Sequence, residues 1–144
     1  MATTTEIRET GRTLSLAALV VAALLALGAG PVAAKVISCP LQSECRGSKG
    51  DDRMQVAGES LVEGKGGDDT ITVPGGASSI LGGPGNDTIR ATNVGFNEII
   101  GGNGSDVIDA RNGDFDEVDC GPGQDKVAFD AGVDSVKNCE GKLK

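Results

Sequence analysis

The sequence Gly82-Gly83-Pro84-Gly85-Asn86-Asp87-Thr88-Ile89-Arg90 returns nineteen residues later as Gly101-Gly102-Asn103-Gly104-Ser105-Asp106-Val107-Ile108-Asp109. Both fit Gly-Gly-x-Gly-x-Asp-x-U-x, with U aliphatic, at every defined position. Looser copies start at Gly47, Gly64 and Cys120, so the five copies stand at offsets of 17, 18, 19 and 19 residues. Half a period on, an eroded series keeps a glycine, a polar residue and an aliphatic one: Gly58 to Val62, Gly76 to Ile80, Gly95 to Ile99, Gly113 to Val118 with one inserted residue, and Gly132 to Val136. Ser43-Glu44-Cys45 looks like the end of one more such unit.

A unit of nine residues cannot bury its one aliphatic side chain alone, so copies must stack. The periodicity predicts an all-β parallel β-roll, a solenoid with two short strands per turn of about eighteen residues, about five turns, covering residues 41 to 138. Met54, Ile71, Ile89, Ile108 and Val127 then form one inward column, and Val62, Ile80, Ile99, Val118 and Val136 the other. Glycine-rich bends separate them at each edge. High glycine and acid content without aromatics is also how a disordered segment looks. Disorder, however, gives no reason for an aliphatic residue at a fixed offset from each Gly-x-Asp.

Ahead of the repeats, residues 1–34 read as a signal peptide. Arg8 and Arg12 precede an uncharged, Leu/Ala/Val-rich stretch that ends in Val32-Ala33-Ala34, which places cleavage before Lys35. The apolar core from Leu14 to Leu27 is short for a bilayer span and runs into Gly-Ala-Gly-Pro, so a membrane anchor is the poorer reading. Val36-Ile37-Ser38-Cys39 partly matches a lipid-acylation box, which gives anchorage through Cys39 as an alternative to a freely secreted, extracellular protein.

What remains, residues 35–144, is one domain with 11 Lys plus Arg against 19 Asp plus Glu, which accounts for the whole net charge of −8. That balance disfavours nucleic acid and anionic membranes as partners and favours cations. The chain has no His, Tyr or Trp. Histidine-based triads, His-ligated zinc and aromatic stacking platforms are therefore excluded. Acids are the only plentiful catalytic groups, yet all the motif acids fall in repeated bends of a short roll with no obvious cleft, so the reading is not an enzyme.

Four cysteines in an exported chain suggest two disulfides. Cys120 and Cys139 occupy equivalent positions on consecutive turns, about 5 Å apart for stacked rungs and so within bridging reach. Cys39 and Cys45 pair by elimination. The bridges then sit at the two ends of the coil.

The repeats resemble the RTX, or haemolysin-type, calcium-binding nonapeptide family over nearly all of residues 41–138. The resemblance implies Ca²⁺ held between successive bends of one edge by the motif aspartates and backbone carbonyls, a donor set that suits a hard cation. Carried over by position, the ligands are Asp52, Asp69, Asp87, Asp106 and Asp125, with the backbone of Gly85 and Gly104. Asp116 and Asp134 are the candidates on the opposite edge, where Ser60, Ser78 and Asn97 otherwise replace the aspartate and imply a polar hydrogen-bonded ladder in place of ions. The expected function is a secreted, non-enzymatic calcium-binding protein with calcium-dependent folding. The alternative is an adhesive module that binds carbohydrate, cell wall or ice through one face of the roll; its outward row Arg53, Thr70, Thr88, Val107, Lys126 is not a regular array.

Overall fold

Short strands alternate with glycine-rich bends along the repeats, and every strand of the repeats finds its partner one turn away. The computed structural model describes residues 8–9, 12–13, 34–92 and 94–143. The chain divides into two units, Met1–Val32 and Ala33–Lys144. In the first, β1 (Arg8–Glu9) and β2 (Arg12–Thr13) pair antiparallel. The remainder of the expected signal peptide up to Ala33 lies outside the described residues. No helix among the described residues is long and apolar enough to cross a membrane.

The second unit is a parallel β-solenoid of two sheets. The first sheet has seven strands: β3 (Lys35–Cys39), β5 (Asp52–Val56), β7 (Thr70–Val73), β9 (Thr88–Ala91), β11 (Val107–Asp109), β13 (Lys126–Ala128) and β15 (Gly141–Lys142). The second has six: β4 (Glu44–Arg46), β6 (Leu61–Glu63), β8 (Ser78–Pro84), β10 (Asn97–Asn103), β12 (Glu117–Asp119) and β14 (Ser135–Lys137). In both, spatial order follows chain order, so each strand lies between its equivalents one turn before and one turn after.

Register sets the core. Met54 pairs with Ile71, Ile71 with Ile89, Ile89 with Ile108 and Ile108 with Val127, so each aliphatic residue lies on its equivalent one turn on. Val62, Ile80, Ile99, Val118 and Val136 stack likewise in the second sheet. All of these are buried except Val136, which is half-buried on the last rung of its sheet. A third column goes beyond the repeat pattern. Val56, Val73, Ala91 and Ala110 lie two residues after the aliphatic position, point the same way along the strand, and are fully buried.

The coil extends one rung beyond the repeats at each end. Strand β3 pairs Ile37 with Met54 and Cys39 with Val56, although it has no glycine or aspartate to mark it as a repeat. At the other end β15 pairs with β13, and Lys142 places its Nζ 4.4 Å from the Phe129 ring centroid. The turns therefore number about six rather than five. Disulfides Cys39–Cys45 and Cys120–Cys139, with Cα separations of 5.9 and 5.2 Å, sit near the two ends as expected. Cys39 thus carries no free thiol for lipid attachment.

Candidate metal-binding edge

Two residues before each aliphatic position of the first sheet, the motif aspartate shares its inward face, because side chains two apart on a strand point the same way. Asp52, Asp69, Asp87, Asp106 and Asp125 consequently form one buried column at the edge of the core, none more than 3% exposed. The column is stitched by a repeated bond. The backbone N–H of Asp52 donates to Asp69 Oδ1 at 2.7 Å, Asp69 to Asp87 at 2.8 Å, Asp87 to Asp106 at 2.8 Å and Asp106 to Asp125 at 2.7 Å. The last N–H, that of Asp125, donates to Glu140 Oε2 at 2.8 Å.

Each of these carboxylates keeps a buried oxygen with no hydrogen-bond partner among the described residues: Oδ2 of Asp69, Asp87, Asp106 and Asp125, and Oδ1 of Asp52. An unpartnered buried polar atom is costly, and five in one column are far more than a native core tolerates without a reason. Gly64, Gly82 and Gly101 leave bare the space these oxygens face. A Cβ on Gly82 would collide with both Asp87 Oδ2 and the carbonyl oxygen of Gly101, and Gly64 and Gly101 repeat the arrangement with Asp69 and Asp106 and the carbonyls of Gly82 and Cys120. An orphan carboxylate oxygen and a carbonyl oxygen of the next turn therefore converge at three successive bends. This donor set fits a hard cation.

Electrostatics point the same way. Burial, reinforced by neighbouring aspartates, pushes the Asp87 carboxyl up to about 7 and that of Asp69 to about 6, against backbone hydrogen bonds that pull both down. Asp106 is raised for the same first reason. The salt bridges among the described residues are Arg46 with Glu44 and Glu63, Arg111 with Asp109, and Lys137 with Asp119, so none of them answers the column. Nor do three or more acidic or cysteine side chains converge among the described residues. Any ion here would rely on carbonyl oxygens for much of its shell.

Gly85 and Gly104 lie on the outer part of the same bends. Gly104 bridges Gly123 in parallel, and the N–H groups of Gly85 and Gly104 donate to the carbonyls of Asn103 and Pro122. The residues before the first four motif aspartates add a second clamp. The N–H of Asp68 donates to Asp51 Oδ1, that of Asn86 to Asp68 Oδ1 and that of Ser105 to Asn86 Oδ1, at 2.7 to 2.9 Å. The signal was present in the sequence, since Asp51, Asp68, Asn86 and Ser105 all carry a side-chain oxygen.

The opposite edge has the same stitch with other acceptors. The N–H of Ser60 donates to Ser78 Oγ, that of Ser78 to Asn97 Oδ1, that of Asn97 to Asp116 Oδ1 and that of Asp116 to Asp134 Oδ1. This is the polar ladder expected there. Asp116 Oδ2 accepts from Asn112 Nδ2 and Asp134 Oδ2 from the N–H of Asp130, so both carboxylates are fully engaged. The structure brings Asp116 and Asp134 together, but with no orphan oxygen to offer an ion.

The outer face of the first sheet carries a shallow groove of about 630 Å³ lined by Arg53, Thr70, Thr72, Thr88 and Arg90 among others. Comparison of the chain with family models, with curated proteins and with solved structures gives no match.

Proposed function

We propose that this chain is a secreted, non-enzymatic calcium-binding β-roll of the RTX type, whose ions lie between successive bends of the aspartate edge. The observation that carries this reading is the column of orphan buried carboxylate oxygens, repeated turn after turn with no salt bridge to it among the described residues. Asp69, Asp87 and Asp106 are the principal ligands, aided by carbonyls of the bends that include Gly85 and Gly104; Asp52 and Asp125 hold the outer positions. Ca²⁺ supplies the missing counter-charge and a shell of six to eight oxygens that glycine-rich backbone can turn toward it. The two disulfides agree with an oxidising, extracellular setting.

The test compares the two edges by calorimetric titration with calcium. Asp87→Ala is expected to lower calcium affinity at least about tenfold, because Asp87 faces both Asp69 and Asp106. Ser78→Ala is expected to leave affinity within about twofold, since Ser78 belongs to the satisfied ladder. Equal losses would refute the assignment of ions to the aspartate edge.

The groove on the first sheet favours a second reading, a surface-binding module. Its threonines and arginines suit a carboxylated glycan, and binding that Arg90→Ala abolishes while calcium uptake persists would establish it.

A further inference from the structure

The stitch that runs along the aspartate column has two ends, and the chain closes only one of them. Every N–H in the column donates forward to the Oδ1 of the next turn. The final N–H, at Asp125, donates to Oε2 of Glu140, which precedes β15 on the last rung and takes the aspartate position there. The first acceptor, Asp52 Oδ1, needs a donor from the turn before. It is buried and has none among the described residues, whereas Asp52 Oδ2 is engaged by the N–H of Ser48.

Strand register identifies the missing donor. Lys35 pairs with Asp52 just as Arg53 pairs with Thr70 further along the sheet, so the nitrogen of Lys35 occupies the column position one turn ahead of Asp52. Lys35 is also the residue that follows Val32-Ala33-Ala34, where the leader pattern ends.

We propose that hydrolysis of the Ala34–Lys35 peptide bond by a leader peptidase creates the donor: the new α-ammonium of Lys35 docks on Asp52 Oδ1 and closes the amino-terminal end of the aspartate column. Water adds across the bond, its oxygen going to the Ala34 carboxylate and the Lys35 nitrogen leaving as an amine that takes up protons to become an ammonium. An amide there has one N–H in a fixed direction and no charge. The ammonium has three donors, rotates freely, and brings a full positive charge to a buried carboxylate oxygen, which makes the bond charge-assisted. Removal of the leader thus tightens the fold as well as releasing the chain. The inference rests on the reading of residues 1–34 as a cleaved leader, and it assigns Asp52 Oδ1 to the ammonium, so the ions lie between the later turns of the column.

The full chain is produced in an exporting host, and the amino terminus of the recovered protein is read by mass spectrometry. Lys35 is expected; a terminus elsewhere overturns the leader reading and the proposal with it. A double-mutant cycle then compares the unmodified protein, a Gly-Ser insertion between Ala34 and Lys35 that turns the Lys35 nitrogen back into an amide, Asp52→Asn, and both together. Denaturant unfolding is followed at saturating calcium. The insertion is expected to lower the folding equilibrium constant about tenfold or more in the unsubstituted protein, and to have little effect in the Asp52→Asn protein, where the carboxylate charge is gone. Additive losses would overturn the docking while leaving the leader reading intact. Should a variant fail to fold, the unmodified protein still decides. Its Lys35 α-amine is expected to react with an acylating reagent at least about tenfold more slowly when folded than in denaturant, and equal rates would overturn the docking.

Discussion

Burial holds the carboxyls of Asp69 and Asp87 at about 6 and about 7, well above the ordinary aspartate range, because their second oxygens are shut away from solvent with no donor among the described residues. The linkage has a definite sign. A group whose folded-state pKa lies above its unfolded value contributes stability below the unfolded value, about 4, and loses it as pH rises through the folded one. Metal-free protein is therefore expected to melt at progressively lower temperature as pH is raised from about 4 to about 7.5. Calcium competes with protons for the same oxygens, so the stabilisation added by saturating calcium is expected to grow over that window. Thermal melts by circular dichroism in calcium-stripped and calcium-saturated buffers measure both slopes. A metal-free stability that rises with pH would mean that these carboxylates are compensated by something other than an ion.

At the scale of the elements, bends and strands left different traces in the sequence. Bends were legible because their geometry admits few residues. Gly102 has φ of +119°, and a Cβ there would strike the backbone carbonyl of Gly83 one turn away, whereas Gly113 has φ of +87° with open space around it. Gly102→Ala is expected to destabilise by about 2 to 4 kcal/mol and Gly113→Ala by about 1 kcal/mol, measured as denaturant midpoints at saturating calcium. Equal costs would show that stacking between bends contributes nothing beyond the backbone angle. Strands were less legible. Val36-Ile37-Ser38-Cys39 has no glycine or aspartate, so the repeat pattern passed over a strand that only its alternation and the neighbouring rung define. The column Val56, Val73, Ala91 and Ala110 was readable from alternation, but its residues shrink from valine to alanine and so escape a search for large aliphatics. Glu140 was invisible as a cap, since on the last rung, just ahead of β15, a glutamate stands where the repeats carry an aspartate. The aspartate column itself followed from spacing; that only one edge keeps orphan oxygens required the hydrogen bonds.

For the whole molecule, the consequence of stacking is that stability is a sum over neighbouring turns, and each interface between turns of the aspartate edge contains the same unfavourable element. The aliphatic columns and the inter-strand bonds favour the coil at every turn. Against them, each turn buries a carboxylate whose second oxygen is unpartnered, and neighbouring carboxylates raise one another's pKa, as Asp69 and Asp106 do for Asp87. The disulfides Cys39–Cys45 and Cys120–Cys139, with sequence separations of 6 and 19, lie near the ends and leave the middle turns, where Asp69, Asp87 and Asp106 stand, without a covalent link. Binding between two turns requires both to be ordered already, so an ion at one interface orders a turn that the next ion uses. The oxidised protein is therefore expected to be largely unfolded in chelator at neutral pH and to fold over a narrow range of calcium concentration, with a steeper response than independent sites give. Far-ultraviolet circular dichroism across a calcium titration measures this, and Asp87→Ala is expected to flatten the response by interrupting the central pair of interfaces. A strong β signal and a cooperative melt in chelator, unchanged by millimolar calcium, would mean that the aliphatic columns and the disulfides suffice and that the orphan oxygens are tolerated without an ion.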